Sequence, residues 1–163
     1  MKETGKSRLS LTMRSIFRCM MEDGYYPVFE QTHIQFGLDD NIAVVEYEEG
    51  ILAVRLFFSI EEEAYDLFLE ASNSMMMYHW CVKAVVLDDM KNIMFSCEIP
   101  CYTAREFKKF FPRCISLLKE ALRSHKLEMK KLILADQVAS STTLPATDEI
   151  TSMTGSGKRK ILS

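Results

Sequence analysis

Apolar positions along this chain change period several times, and those changes lay out its elements. Leu9, Met13, Ile16 and Met20 recur at spacings of four, three and four, with Phe17 and Met21 beside them. That is the stripe of an amphipathic helix. It closes at Asp23-Gly24, where glycine suits the left-handed residue past a helix end, and Pro27 blocks continuation. The pattern then shifts to period two. Thr32 to Leu38 places Ile34, Phe36 and Leu38 on one face and His33 and Gln35 on the other. Asp39-Asp40-Asn41 reads as a turn, because short polar side chains bond their own backbone. Ile42 to Tyr47 and Ile51 to Phe58 follow as strands around a Glu48-Glu49-Gly50 hairpin loop.

Ser59-Ile60-Glu61-Glu62 has the spacing of a capping box, ahead of a helical stripe of Ala64, Phe68, Ala71, Met75 and Tyr78. Period two returns in Val82 to Leu87 and, after an Asp88 to Lys91 turn, in Asn92 to Ile99. Pro100 ends that strand. Thr103-Ala104-Arg105-Glu106 is a second capping box, opening a helix lined by Phe107, Phe111, Cys114, Leu118 and Ala121. Pro112 inside it is expected to remove one hydrogen bond and kink the axis. The order is α-βββ-α-ββ-α, an α+β domain over residues 8–128. Periodicity fades after Leu127, so residues 129–163 read as a polar tail, helical at first and disordered from Ser140, where Ser and Thr dominate.

The 163 residues suit one domain and a tail, and 48% hydrophobic content suffices for a core. Nothing approaches the ~20-residue apolar run of a membrane span, and the polar stretch Met1 to Ser10 lacks a signal-peptide core. A cytoplasmic location is expected. The five cysteines form no even-numbered framework, and Cys97 and Cys101 are spaced too widely for a redox or zinc-ribbon pair. They read as small hydrophobes. Of 20 basic and 23 acidic residues, five and three fall from Met129 onward. The domain itself is therefore about −5 within a chain of −3, which argues against a nucleic-acid partner.

The order of elements, with Asp23-Gly24-Tyr25-Tyr26 leading into the sheet, resembles YbjN-like bacterial proteins. Lys83-Ala84-Val85-Val86-Leu87-Asp88-Asp89, the strand ending at Ile99-Pro100 and the capped helix after it are also similar. Type III secretion chaperones share this fold. The resemblance covers roughly Leu9 to Leu127 and rests on pattern. It implies a five-stranded antiparallel sheet with helices mainly on one face, and frequent dimerisation. Secretion chaperones of this fold bind an extended client segment, and YbjN-like proteins are labelled sensory transduction regulators. This chain departs from the chaperones in being only mildly acidic and in carrying the polar extension.

The strands carry more apolar surface than one covered face needs. Ile51 to Phe58 is apolar on both sides, with Ile51, Ala53 and Phe57 opposite Leu52, Val54, Leu56 and Phe58, and Arg55 the lone charge. Ala43 and Val45, in the apolar run Ile42 to Val45, extend that second surface. An antiparallel sheet with one wet face should alternate cleanly, so a helix, a partner copy or a client is expected to cover it. Met76 and Met77, in a run of three methionines, cannot both enter one helical stripe and join the candidate surface.

Chemistry is sparse. His33, His79 and His125 stand in separate elements without a carboxylate at triad or metal spacing. Glu61-Glu62-Glu63 suits a helix N-terminus, and Asp39-Asp40-Asn41 lacks the glycine and glutamate of a calcium loop. Thr154-Gly155-Ser156-Gly157-Lys158 fails as a phosphate loop, because Ser152 stands where its first glycine belongs. Lys158-Arg159-Lys160 reads as a solvated basic end. No catalytic residue, metal or cofactor is expected. The expected function is a homodimeric, non-catalytic protein-binding module. The alternative is a small-molecule sensor with an apolar pocket between sheet and helices near Met75–Met77. Substituting Val54 or Phe57 by aspartate is expected to abolish folding or self-association.

Overall fold

The computed structural model of the chain describes residues 10–142. The polar N-terminus, Leu9, the phosphate-loop-like stretch, the basic end and the tail beyond Thr142 lie outside the described residues. The elements are α1 (Met13–Glu22), β1 (Val28–Glu30), β2 (His33–Leu38), β3 (Asn41–Glu48), β4 (Ile51–Ser59), α2 (Tyr65–Tyr78), β5 (Val82–Val86), β6 (Asn92–Pro100) and α3 (Ala104–Thr142). A 3-10 turn, Glu62–Ala64, precedes α2.

The sheet has six strands rather than five, ordered β1-β2-β3-β4-β6-β5, and every neighbouring pair is antiparallel. The additional strand is β1, three exposed residues held by pairing with β2, Phe29 opposite Ile34. It follows Pro27 and turns at Gln31-Thr32, too short for alternation to show.

Two hairpins set the register. Leu38 pairs Asn41, so the β2–β3 turn is only Asp39-Asp40 and Asn41 already belongs to β3. Glu48 pairs Ile51 around Glu49-Gly50, both at positive φ, the geometry of a type I′ turn. Register then places Ile34, Phe36, Ala43, Val45, Leu52, Val54, Leu56, Ile93, Phe95 and Cys97 on one face, all buried. The helices pack on that face. Ile16, Met20, Ala71, Met75, Phe107, Phe111, Leu118 and Ala121 complete the core. Tyr78, by contrast, is exposed, and Ser72 takes an inward position on α2.

The cap of α3 forms as its sequence predicts. Glu106 N–H donates to Thr103 Oγ1 at 3.1 Å, and Thr103 N–H donates to Glu106 Oε2 at 3.2 Å. The box at Ser59 does not form. Ser59 instead ends β4 opposite Asn92, and the turn before α2 has no side-chain cap. The last helix runs unbroken through Pro112 and includes Ser140–Thr142, which the sequence reading assigned to the disordered tail.

Candidate binding face

The face of the sheet turned away from the helices is the candidate site, and no described element packs over it. Register aligns its side chains in rows across the strands. One row runs Gln35, Val44, Arg55, Ser96 and Lys83. Beside it Glu46, Ala53 and Glu98 form a second. On the other flank Gly37 lies opposite Ile42, and Phe57, Met94 and Val85 pair in turn. Ile42 stands one position beyond the Ala43–Leu56 pair and thus beside Phe57.

The first two rows carry an ionic network. Arg55 Nη1 is 3.2 Å from Glu46 Oε2, and Arg55 Nη2 is 3.7 Å from Glu98 Oε1. Lys83 Nζ lies 2.7 Å from Glu98 Oε2, and Ser96 Oγ donates to Glu98 Oε1 at 3.0 Å. Lys83, then Ser96 and Arg55, hold the Glu98 carboxyl below its ordinary range. Ala53 and Ser96, neighbours of Arg55 in these rows, are buried although no helix lies above them. The Arg55 Nε is buried without a hydrogen-bond partner. Toward the β3–β4 hairpin the network opens into a shallow concavity of about 630 Å³, where Glu46, Glu48, Glu49 and Glu98 surround Arg55 and Ile51.

The remaining row is apolar and wet. Ile42 is 64% exposed, Phe57 43% and Val85 42%, with Met94 half-buried between the last two. Isolated surface hydrophobes are ordinary, but a row of them across four strands makes a patch.

The structure divides the residues nominated from sequence. Ile51, Ala53, Arg55 and Phe57 share the open face. Ala43 and Val45 do not: both are fully buried beneath the helices, opposite Leu56 and Val54. The two-residue turn at Asp39-Asp40 puts Ile42 and Val44 on the open face in their place. Met76 is half-buried on α2, its Sδ accepting the Ala84 N–H at 3.4 Å. Met77 is 73% exposed on α2, which packs on the helical side of the sheet. Neither belongs to the open face. Met94 and Val85 were missed because in the sequence each continues its own strand's alternation, and only cross-strand register joins them.

The histidines meet neutral partners: His33 Nε2 faces the Gln35 side-chain nitrogen at 3.0 Å, His79 Nε2 faces Ser124 Oγ at 3.0 Å, and His125 Nε2 faces Ser72 Oγ at 3.2 Å. Among the described residues no group of acidic, cysteine and histidine side chains has the arrangement of a metal site. No described helix is long and apolar enough to cross a membrane.

The sequence matches no protein-family model and no curated protein. Its fold is similar to that of YbjN from E. coli, a proposed transcription regulator, at a TM-score of 0.58 and 10% identity over 68% of this chain and 88% of that one. It is also similar to an uncharacterized protein from Methanothermobacter thermautotrophicus, at a TM-score of 0.53 and 11% identity over 74% of this chain and 98% of the other. At these identities the likeness concerns architecture, and the chain has a YbjN-like fold.

Proposed function

We propose that the chain is a non-catalytic protein-binding module, regulatory or chaperone-like, that self-associates as a homodimer through the open face of its sheet. The observation that carries this reading is the wet apolar row of Ile42, Phe57, Met94 and Val85 beside the Glu46–Arg55–Glu98–Lys83 network. Interfaces combine an apolar centre with polar surroundings that fix register. Both signs of charge occur within one face, so a two-fold rotation can set acid against base and bury the apolar row against its copy. The likeness to YbjN supports the regulatory half of the reading.

The test is native mass spectrometry and sedimentation of the full chain beside its Phe57→Asp variant. The expected result is a dimer that becomes a monomer with an unchanged far-UV spectrum. A variant that keeps the wild-type mass would overturn the reading.

A small-molecule sensor is favoured by a different observation. Met75 is fully buried, and the apolar cavity lies elsewhere, where the end of β6 meets α3. It measures about 330 Å³ and is lined by Ile99, Pro100, Phe110 and Leu117, among others, a volume at the low end of ligand pockets. Denaturing mass spectrometry of gently purified protein would show a copurifying small molecule if this cavity is occupied.

A further inference from the structure

Four of the five cysteines, dispersed in sequence, converge at one place. Cys81, just ahead of β5, and Cys114, on α3, line the same 330 Å³ cavity. Cys97, buried on β6, stands opposite Val82, the residue after Cys81. Cys101 follows Pro100, which lines the same cavity. Cys19 takes no part in this cluster. The thiols differ in access: Cys81 is exposed, whereas Cys97, Cys101 and Cys114 are buried. They therefore form a path from solvent, through the cavity, into the core.

We propose that Cys81 and Cys114 form a hydroperoxide-responsive thiol pair that closes into an intramolecular disulfide. In the first step the Cys81 thiolate attacks one oxygen of hydrogen peroxide. The S–O bond forms, the O–O bond breaks, and the released hydroxide takes up a proton to become water. In the second step the Cys114 sulfur attacks the Cys81 sulfur. The S–S bond forms, the S–O bond breaks, and the departing hydroxide leaves as water with the Cys114 proton. Two thiols and one peroxide thus yield one disulfide and two waters, the sulfurs oxidised and the peroxide reduced.

Cys97, buried on β6 opposite Val82, provides a third step without net oxidation. Its sulfur attacks Cys114, the Cys97–Cys114 bond forms, the Cys81–Cys114 bond breaks, and the Cys97 proton passes to the released Cys81 sulfur. Cys101 is a poor competitor, because burial, then Glu106, pushes its pKa up to about 11. Cys81 stands between the end of α2 and the start of β5 and belongs to no strand pair.

The test uses the purified, reduced full chain treated with hydrogen peroxide, blocked with iodoacetamide and digested without reductant. The expected product is an intramolecular cross-link containing Cys114, with Cys19 still alkylated, and its formation slows by roughly tenfold or more in Cys81→Ser. Four outcomes would overturn the proposal: five alkylated cysteines after peroxide, oxygen adducts on Cys81 without a cross-link, only intermolecular Cys81 dimers, or equal cross-linking rates in Cys81→Ser.

Discussion

His125 Nε2 lies 3.2 Å from the Ser72 hydroxyl, which itself donates to the Phe68 carbonyl at 2.6 Å. Ser72 has committed its proton, so it accepts from the imidazole, and the ring sits in the core as a neutral donor. The rings of Phe68 and Phe95 close around it at 5.3 and 5.1 Å. Burial holds the His125 pKa below its ordinary 6.5, with the Phe68 carbonyl pulling the other way. The unfolded chain takes up a proton that the folded chain resists. Stability is therefore full above about pH 6.5 and falls as pH drops from there toward the folded value. Glu98 and Glu22, held below 4.5 by Lys83 and Lys108, add losses only at lower pH. The thermal midpoint should fall between about pH 7.5 and about pH 5.5, and His125→Gln should flatten that dependence. An equally steep slope in the variant would show that His125 is not the responsible group.

The two capping-box sequences make opposite predictions. Thr103 accepts from Glu106 N–H, and Glu106 Oε2 accepts from both Tyr102 and Thr103 N–H groups at 2.7 and 3.2 Å. Thr103→Ala should cost about 1 kcal/mol in urea unfolding. Ser59 caps nothing, since its hydroxyl reaches only Asn92 Oδ1 at 3.4 Å on an exposed strand end. Ser59→Ala should change stability by no more than about 0.5 kcal/mol. Equal losses would mean that the boxes were wrongly distinguished.

The same pair shows what can be read from this sequence. Hydrophobic period placed five strands and three helices, because each has a face to bury. It could not decide that β4 runs one residue further and takes Ser59 from the next helix. Nor could it find β1, whose Val28, Phe29 and Glu30 are all exposed and belong to the sheet only through β2. In β3 four successive apolar residues, Ile42 to Val45, leave the inward side undetermined until the Leu38–Asn41 pair fixes the turn length. Of the eight nominated residues, Ile51, Ala53, Arg55 and Phe57 therefore lie on the open face, Ala43 and Val45 were reversed, and Met76 and Met77 lie on the helical side. The thiol cluster was invisible, since each cysteine alone reads as a small core residue.

Gly50 answers to two constraints at once. It adopts φ +82 in the β3–β4 turn, and a Cβ there would run into the ring of Tyr102. Positive φ alone costs a β-carbon about 1–2 kcal/mol, and displacing the ring adds to it. Gly50→Ala should lower stability by about 2 kcal/mol or more, and the loss should shrink toward the backbone value in a Tyr102→Ala background. Additive losses in the double variant would remove the ring from the explanation.

Met76 guards an edge. The sheet ends at β5, whose outward N–H groups would otherwise offer a template for another strand. The end of α2 covers two of them: Val82 N–H donates to the His79 carbonyl at 3.1 Å, and Ala84 N–H donates to Met76 Sδ at 3.4 Å. Sulfur is a weak acceptor, so most of the protection comes from the bulk of the side chain excluding competing strands. Met76→Ala should cost about 1–2 kcal/mol, because the residue is only half-buried, and should expose the Ala84 N–H. Its chief effect should appear as aggregation, with light scattering rising faster than in wild type at equal concentration. Met76→Leu should restore most of the resistance by restoring the bulk. Met76→Ala protein that scatters no faster than wild type would show that the strand edge is protected by something other than this methionine.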